Sequence, residues 1–311
     1  TVTLQWTWDL DSGPWAYETT ALLVDEDAGW RAVPEPAVIH ADLRAGERLA
    51  RSVVPPHRGD VLGAGGRLLV TERDVYRVGI DKGRLPEGAD PAAAGAQLAA
   101  WAGLEDPPAF GARVAAGGAR QFVEAIVVRA EEFPLSSEPL EAIPGAVALS
   151  GRRPLAPTAG FARPLLGRVG EATAEIVEES GGAVRPGALT GLSGLQRRYE
   201  QRLAGTAGER IEARADGGSA RVLHEVAARD GEPLHLTLDL GLQTLAEDVL
   251  ADVGPASALV AVRASTGEVV AAASGPGLLG QNTATEALPV PGSTFKVATA
   301  LALLRAGLEP D

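Results

Sequence analysis

A serine and a lysine set three residues apart, Ser293 and Lys296 in the run Pro291-Gly292-Ser293-Thr294-Phe295-Lys296, could perform covalent chemistry. On a helix such a pair shares one face, so the amine can take the proton of a hydroxyl that then attacks a carbonyl. The chemistry implied is acyl transfer, with Ser293 as nucleophile and Lys296 as general base. A lysine serves as a base only when its pKa falls well below its usual value of about 10.4, which burial or a neighbouring cation achieves. Lys296 is therefore expected to be buried, and the apolar run from Val297 to Leu304 to form a hydrophobic helix inside a domain. Pro291 and Gly292 supply a turn, which sets Ser293 at the helix start, where backbone N–H groups and the positive end of the dipole can meet an oxyanion. The plainer reading is that S-x-x-K is a short chance pattern, with Ser293 an N-cap and Lys296 a solvated side chain.

The preceding elements must position that pair. Leu236-Thr237-Leu238-Asp239 reads as a short strand, and Leu242 through Leu250 as an amphipathic helix. Ala258 to Arg263 reads as a buried strand, Ser265-Thr266-Gly267 as a tight turn and Glu268 to Ala273 as the hairpin partner. Further upstream, Ala92 to Trp101 has helical spacing and Phe122 to Arg129 reads as a strand, followed by a second strand and helix pattern from Val147 to Ser180. Arg152 and Arg153 form a basic pair read as a solvated loop.

In order, the T-x-D-x-x-L-Q segment from Thr237 to Gln243, the strand-Thr266-Gly267-Glu268-strand hairpin and Pro291-Gly292-Ser293-Thr294-Phe295-Lys296 resemble the opening of the transpeptidase domain of penicillin-binding proteins. Arg58-Gly59-Asp60-Val61-Leu62 with Gly65-Gly66-Arg67-Leu68-Leu69 is similar to the R-G-x-I-x-D-R-x-G-x-x-L segment that opens the dimerisation, or pedestal, domain of the class B members. The family's aspartate-arginine pair is replaced here by Gly63-Ala64-Gly65-Gly66, a pattern similar to the actinobacterial branch. Gly191 to Glu200 with Leu203 to Gly208 resembles the G-x-S-G-L-E-x-x-Y-x-x-x-L-x-G-x-x-G segment near the end of that domain. On local chemistry the first of these is a Gly-rich turn between strands and the second a capped helix between loops.

The first stretch carries Trp6, Trp8, Trp15, Tyr17 and Trp30 in an alternation typical of antiparallel strands. With Val38-Ile39-His40 it looks like the last strands and exit linker of the NTF2-like domain of the MecA-like subgroup. Its aromatics serve either core packing or, on a different reading, a carbohydrate-binding strand face. The fold class expected is α+β multidomain: an NTF2-like remnant over 1–45, a mixed α/β pedestal over 46–235, and the start of a serine transpeptidase/β-lactamase-like α/β domain over 236–311.

With 311 residues and 45% hydrophobic composition the chain can build two or three real cores. Its net charge of −13 argues against nucleic acid or an anionic membrane as a main partner. It has no cysteine, and His40, His57, His224 and His235 are isolated in sequence, so neither a metal nor another cofactor is expected. No apolar stretch is long enough to span a membrane.

The resemblance implies a peptidoglycan D,D-transpeptidase that cross-links stem peptides through an acyl-enzyme on Ser293 and is trapped there by β-lactam antibiotics. It further implies an extracytoplasmic enzyme held by an N-terminal membrane helix absent from this chain. A membrane glycosyltransferase or cell-division proteins would dock on the pedestal. The family's S-x-N and K-T-G motifs do not follow Lys296 before Asp311, so this chain alone is expected to be inactive. A second reading is a non-catalytic penicillin-binding or divisome scaffold. A third is a serine β-lactamase, which shares S-x-x-K but needs no pedestal.

Overall fold

The computed structural model describes residues 1–309 except 27–28, 134–137, 216–217, 219, 279 and 289. The last residues of the expected third domain, 310 and 311, thus lie outside the described residues. The chain divides into two compact units, one of Thr1–Ala159 with Arg168–Leu236 and one of Gly160–Gly167 with Thr237–Asp311.

The first unit opens with the hairpin β1 (Val2–Leu10) and β2 (Gly13–Ala21), in which Trp6 faces Tyr17 and Trp8 faces Trp15. Its aromatics are packed and hydrogen-bonded: the Trp8 indole donates to the Tyr17 hydroxyl (2.9 Å), which donates to the Ile39 carbonyl (2.8 Å). Trp15 stacks on His224, with ring centroids 4.9 Å apart. A second hairpin joins β3 (Leu23–Glu26) to β4 (Gly29–Ala32).

Strand β5 (Glu47–Val54) leads to the short β6 (Val61–Leu62) and the long β7 (Leu68–Asp81). Between these last two the glycines make the expected turn, with Gly65 and Gly66 at positive φ and Gly63 N–H donating to the Arg67 carbonyl (2.7 Å). Helices α1 (Pro91–Trp101) and α2 (Pro107–Ala116) follow, each with Pro at its start and an aspartate cap, Asp90 or Asp106, on its first N–H groups. Strand β8 (Phe122–Arg129), the turn α3 (Glu138–Glu141) and β9 (Ala146–Leu155) complete the sheet core. Both β8 and β9 pair antiparallel with β7. Val78, Ile80, Leu98, Phe110, Val114 and Val123 form the main buried cluster. At about 1.5–3 kcal/mol per large apolar side chain, this cluster dominates the unit's stability. Helices α1 and α2 approach through glycine: a Cβ on Gly95 would lie 2.9 Å from the Gly111 Cα.

Arg152 and Arg153 belong to β9, which corrects the loop expectation. Arg152 pairs with Glu72 (3.2 Å), and the largely buried Arg153 lies 3.4 Å from Glu124. The strand continues through them because carboxylates on both neighbouring elements answer the pair: Arg152 faces Asp74 and reaches Glu72 on β7, while Arg153, opposite Arg73, turns to Glu124 on β8.

The chain then leaves this unit for α4 (Arg163–Leu166) and returns through β10 (Val169–Glu171), α5 (Ala174–Glu179) and β11 (Leu189–Gly191). Helices α6 (Gly194–Arg198) and α7 (Glu200–Leu203) precede β12 (Gly208–Ala215), β13 (Arg221–Val226) and β14 (Leu234–His235). Strand β12 lies between β13 and β5, while β14 adds parallel to β6. The strand expected at Leu236–Asp239 is therefore shorter and earlier.

The two pedestal motifs prove to be one structure. Arg58, with its side chain 7% exposed, donates to Gln196 Oε1 (2.9 Å) and Glu200 Oε2 (2.6 Å), and that same Glu200 oxygen accepts the Gly191 N–H (2.8 Å). Ser193 does not cap α6 with its side chain; its hydroxyl accepts the Arg168 N–H (3.2 Å).

In the second unit α8 (Leu240–Leu250), capped by Asp239 on the Leu242 N–H (2.9 Å), packs on the hairpin of β15 (Ala258–Val262) and β16 (Val269–Ser274). The Thr266-Gly267 turn closes on the Arg263 carbonyl, with Gly267 at φ 78°. Strand β15 was expected to be buried. Instead Leu259 and Ala261 are half-buried while Val260 and Val262 are exposed, because only one face of the strand packs on α8.

Candidate active site

The chain reaches Ser293 through the short helix α9 (Thr283–Glu286), whose Ala284 N–H donates to Ser274 Oγ at the end of β16 (3.1 Å). Gly292, at φ 54°, opens a 3-10 turn over Gly292–Phe295, and α10 (Lys296–Arg305) follows without a break. The Lys296 N–H donates to the Ser293 carbonyl, so the two residues lie one 3-10 turn apart. In a 3-10 turn residues three apart eclipse, which puts the Ser293 and Lys296 side chains on the same side of the turn. The helix ends at Gly307, φ 94°, with Leu308 N–H on the Leu303 carbonyl and Gly307 N–H on the Leu304 carbonyl. These two bonds form a Schellman stop.

Two expectations are corrected here. Ser293 does not cap a helix; it sits inside the 3-10 turn that feeds α10, and no side chain caps either element. Lys296 is exposed rather than buried, as is every residue from Pro291 to Glu309. The apolar residues of α10 have no opposing layer among the described residues: Val297 is 76% exposed and Leu308 58%. Among the described residues neither Ser293 Oγ nor Lys296 Nζ has a hydrogen-bond partner. The turn fixes their spacing, and both side chains are solvent-exposed.

Sequence reasoning used Gln243 as part of a pattern and gave it no role. Fully buried, its amide pairs with β16, accepting from Ala272 N–H (2.8 Å) and donating to Ala272 C=O (3.3 Å). A polar residue on the face that also carries Ala246 and Leu250 was the available signal. Among the described residues no group of three or more His, Asp or Glu side chains is placed to hold a metal ion.

The order along the chain, a mixed sheet-and-helix unit followed by a helix, a hairpin and a Ser-Lys turn, is that of two adjoining protein domains. Residues 53–236 match the penicillin-binding protein dimerisation domain, and residues 257–311 match the penicillin-binding protein transpeptidase domain. The chain belongs to the class B penicillin-binding proteins. It is 27% identical over 273 residues to penicillin-binding protein 3 of Bacillus subtilis (strain 168), a match covering 86% of this chain and 40% of that protein. It is 40% identical over 89 residues to the peptidoglycan D,D-transpeptidase MrdA of Acinetobacter baumannii, covering 28% of this chain and 13% of that protein. The chain thus spans about two fifths or less of the length of these relatives. Its fold is similar to that of a penicillin-binding protein (PBP2) solved in complex with MreC from Helicobacter pylori. That similarity has a TM-score of 0.59 at 19% identity, over 85% of this chain and 54% of that one.

Proposed function

We propose that this chain carries the pedestal and nucleophile turn of a peptidoglycan D,D-transpeptidase, with Ser293 as nucleophile and Lys296 as its base. The observation that carries the reading is the placement of the two residues one 3-10 turn apart within the transpeptidase match. Lys296 Nζ takes the Ser293 hydroxyl proton, and Oγ attacks the carbonyl of the penultimate D-Ala of a stem peptide. The peptide C–N bond breaks, the proton passes to the departing D-Ala amine, and an ester to Ser293 remains. An amine of a neighbouring stem peptide then takes the acyl group and restores the serine. A β-lactam carbonyl is attacked in the same way, with opening of its ring.

The finer assignments belong to the same proposal: an NTF2-like remnant of the MecA-like kind over 1–45, a pedestal over 46–235 and the transpeptidase start over 236–311. So do actinobacterial ancestry, an extracytoplasmic location with an N-terminal membrane anchor, and a membrane glycosyltransferase or cell-division proteins docked on the pedestal. The MreC complex of the structural relative supports a partner of that kind. No helix among the described residues is long and apolar enough to cross a membrane.

Intact mass after exposure to a labelled penicillin tests the reading. The full-length protein is expected to gain one adduct, its Ser293→Ala variant none, and the 311-residue chain, in which no S-x-N or K-T-G follows Lys296, none. A folded full-length protein that gains no adduct would leave the scaffold reading in its place.

A further inference from the structure

Residues Gly160–Gly167 come from the pedestal sequence, between β9 and β10, yet cluster with the second unit. Within that unit Phe161, Ala162 and Leu166 are each at most 3% exposed. Ala162 is the only non-glycine residue at positive φ (44°) among the described residues, a left-handed conformation that its Cβ disfavours. Both its backbone groups are occupied: the carbonyl accepts the Leu165 (3.0 Å) and Leu166 (2.7 Å) N–H groups, and the N–H donates to Glu247 Oε1 (2.6 Å).

That same carboxylate oxygen accepts from Gln243 Nε2 (2.7 Å). The bond orients the Gln243 amide, nitrogen toward Glu247 and oxygen toward the Ala272 N–H. The amide thereby holds the edge of β16 much as a neighbouring peptide would. Two residues along, Ser274 Oγ holds the first turn of α9, in the stretch that delivers Ser293. A continuous polar path therefore runs from Ala162 through Glu247 and Gln243 to β16. Gly160 and Gly167, the latter at φ 80°, bracket the segment, and Arg168 is anchored again in the first unit by Ser193 and Leu192.

We infer that Gly160–Gly167 is a strap seated by the burial of Phe161, Ala162 and Leu166 and latched by the carboxylate of Glu247, and that its seating sets the order of β16 and so of the segment leading to Ser293. Glu247 is a positioning residue that touches no reacting atom. A left-handed Ala162 makes the strap releasable, since undocking relieves the backbone while it removes the Glu247 contact. The strap stands on geometry alone, whether or not Ser293 is acylated.

Residue-resolved native-state hydrogen exchange on the full-length protein tests this, comparing Glu247→Ala, Glu247→Gln and Ala162→Gly with wild type. Loss of one hydrogen bond to a charged acceptor should lower protection of the Ala162–Leu166 and Ala272 amides by about tenfold to a hundredfold in Glu247→Ala. The amides of β7 should be unaffected. Glu247→Gln retains an acceptor oxygen and should stay nearer wild type than Glu247→Ala. Ala162→Gly leaves the Glu247 contact in place and gives up one buried methyl in exchange for an unstrained left-handed backbone, which should on balance raise strap protection and keeps the test standing if Glu247→Ala fails to fold. Unchanged strap protection in Glu247→Ala overturns the strap, as does a uniform loss across α8, β15 and β16, which would make Glu247 a general stabiliser. Strap opening without change at Ala272 would break the proposed path to β16, and unchanged or lower protection in Ala162→Gly would remove the argument for a releasable seat.

Discussion

At the scale of single residues, chemistry and architecture are divided between two kinds of site. Ser293 and Lys296 are exposed and unpaired, held only by the geometry of their own turn. Arg58 is the opposite case, a buried guanidinium whose fork is filled by Gln196 and Glu200. Removing one partner of such a pair leaves a charge in a dry setting, which costs far more than the pair contributes when intact. Arg58→Ala should therefore destabilise the first unit by about 3–5 kcal/mol in urea unfolding. Arg58→Lys should recover only part of this, because an ammonium cannot reproduce the two-pronged geometry. The arginine and the Gly-x-Ser-Gly segment are far apart in sequence, and each of them looked like an isolated pattern there.

Among elements, the three-stranded sheet of β5, β12 and β13 concentrates the molecule's acid sensitivity. Glu209 on β12 is buried, which pushes its carboxyl up, but the Ser12 hydroxyl and backbone N–H together with Arg51 outweigh this and hold it below the usual carboxylate range. Arg221 and the Arg44 N–H hold Glu47 on β5 low, and Arg210 does the same for Glu225 on β13. Carboxylates with depressed folded pKa values stabilise the fold above their unfolded pKa of about 4.3, and that contribution disappears as pH falls through the folded values. Stability measured by denaturant should thus be flat from neutral pH to about 5 and fall below about 4.3. Glu209→Gln should be less stable at pH 7 and show a shallower acid loss. The helix pair α1 and α2 tests packing instead. A Cβ on Gly111 would meet the Ala92 carbonyl at 2.5 Å, so Gly111→Ala should cost about 1–3 kcal/mol in spite of its better helix propensity.

For the whole molecule, the uneven distribution of buried surface has a direct consequence. The first unit encloses a large buried cluster around Val78, Leu98 and Val114, whereas in the second α8 exposes Leu242, Leu245 and Val249 and α10 exposes Val297, Leu301 and Leu304. Exposed apolar faces of this kind bind dyes and one another. The 311-residue chain should enhance the fluorescence of a hydrophobic dye, and the double variant Leu301→Glu, Leu304→Glu should reduce that signal with an unchanged circular dichroism spectrum. An unchanged dye signal would mean that α10 is covered in solution.

The sequence by itself determined the elements that depend on neighbours in the chain. Helical spacing located α1, alternation located β1 and β2, Phe122–Arg129 read as the strand it is, the Thr-Gly turn located the β15–β16 hairpin, and Ser293 and Lys296 stood out by spacing alone. Local periodicity reports which face of an element is apolar; it does not report whether anything covers that face. For that reason the burial expected for Lys296, α10 and β15 failed, and Arg152 and Arg153 were misjudged without sight of Glu72 and Asp74 on β7 and Glu124 on β8. Only the tertiary structure decided that Arg58 and Glu200 form one lock, that Ser12 reaches Glu209, and that Gly160–Gly167 joins the second unit through Glu247. Each of these unites residues tens to hundreds of positions apart, where hydrogen-bond geometry in three dimensions, and no local pattern, selects the partner.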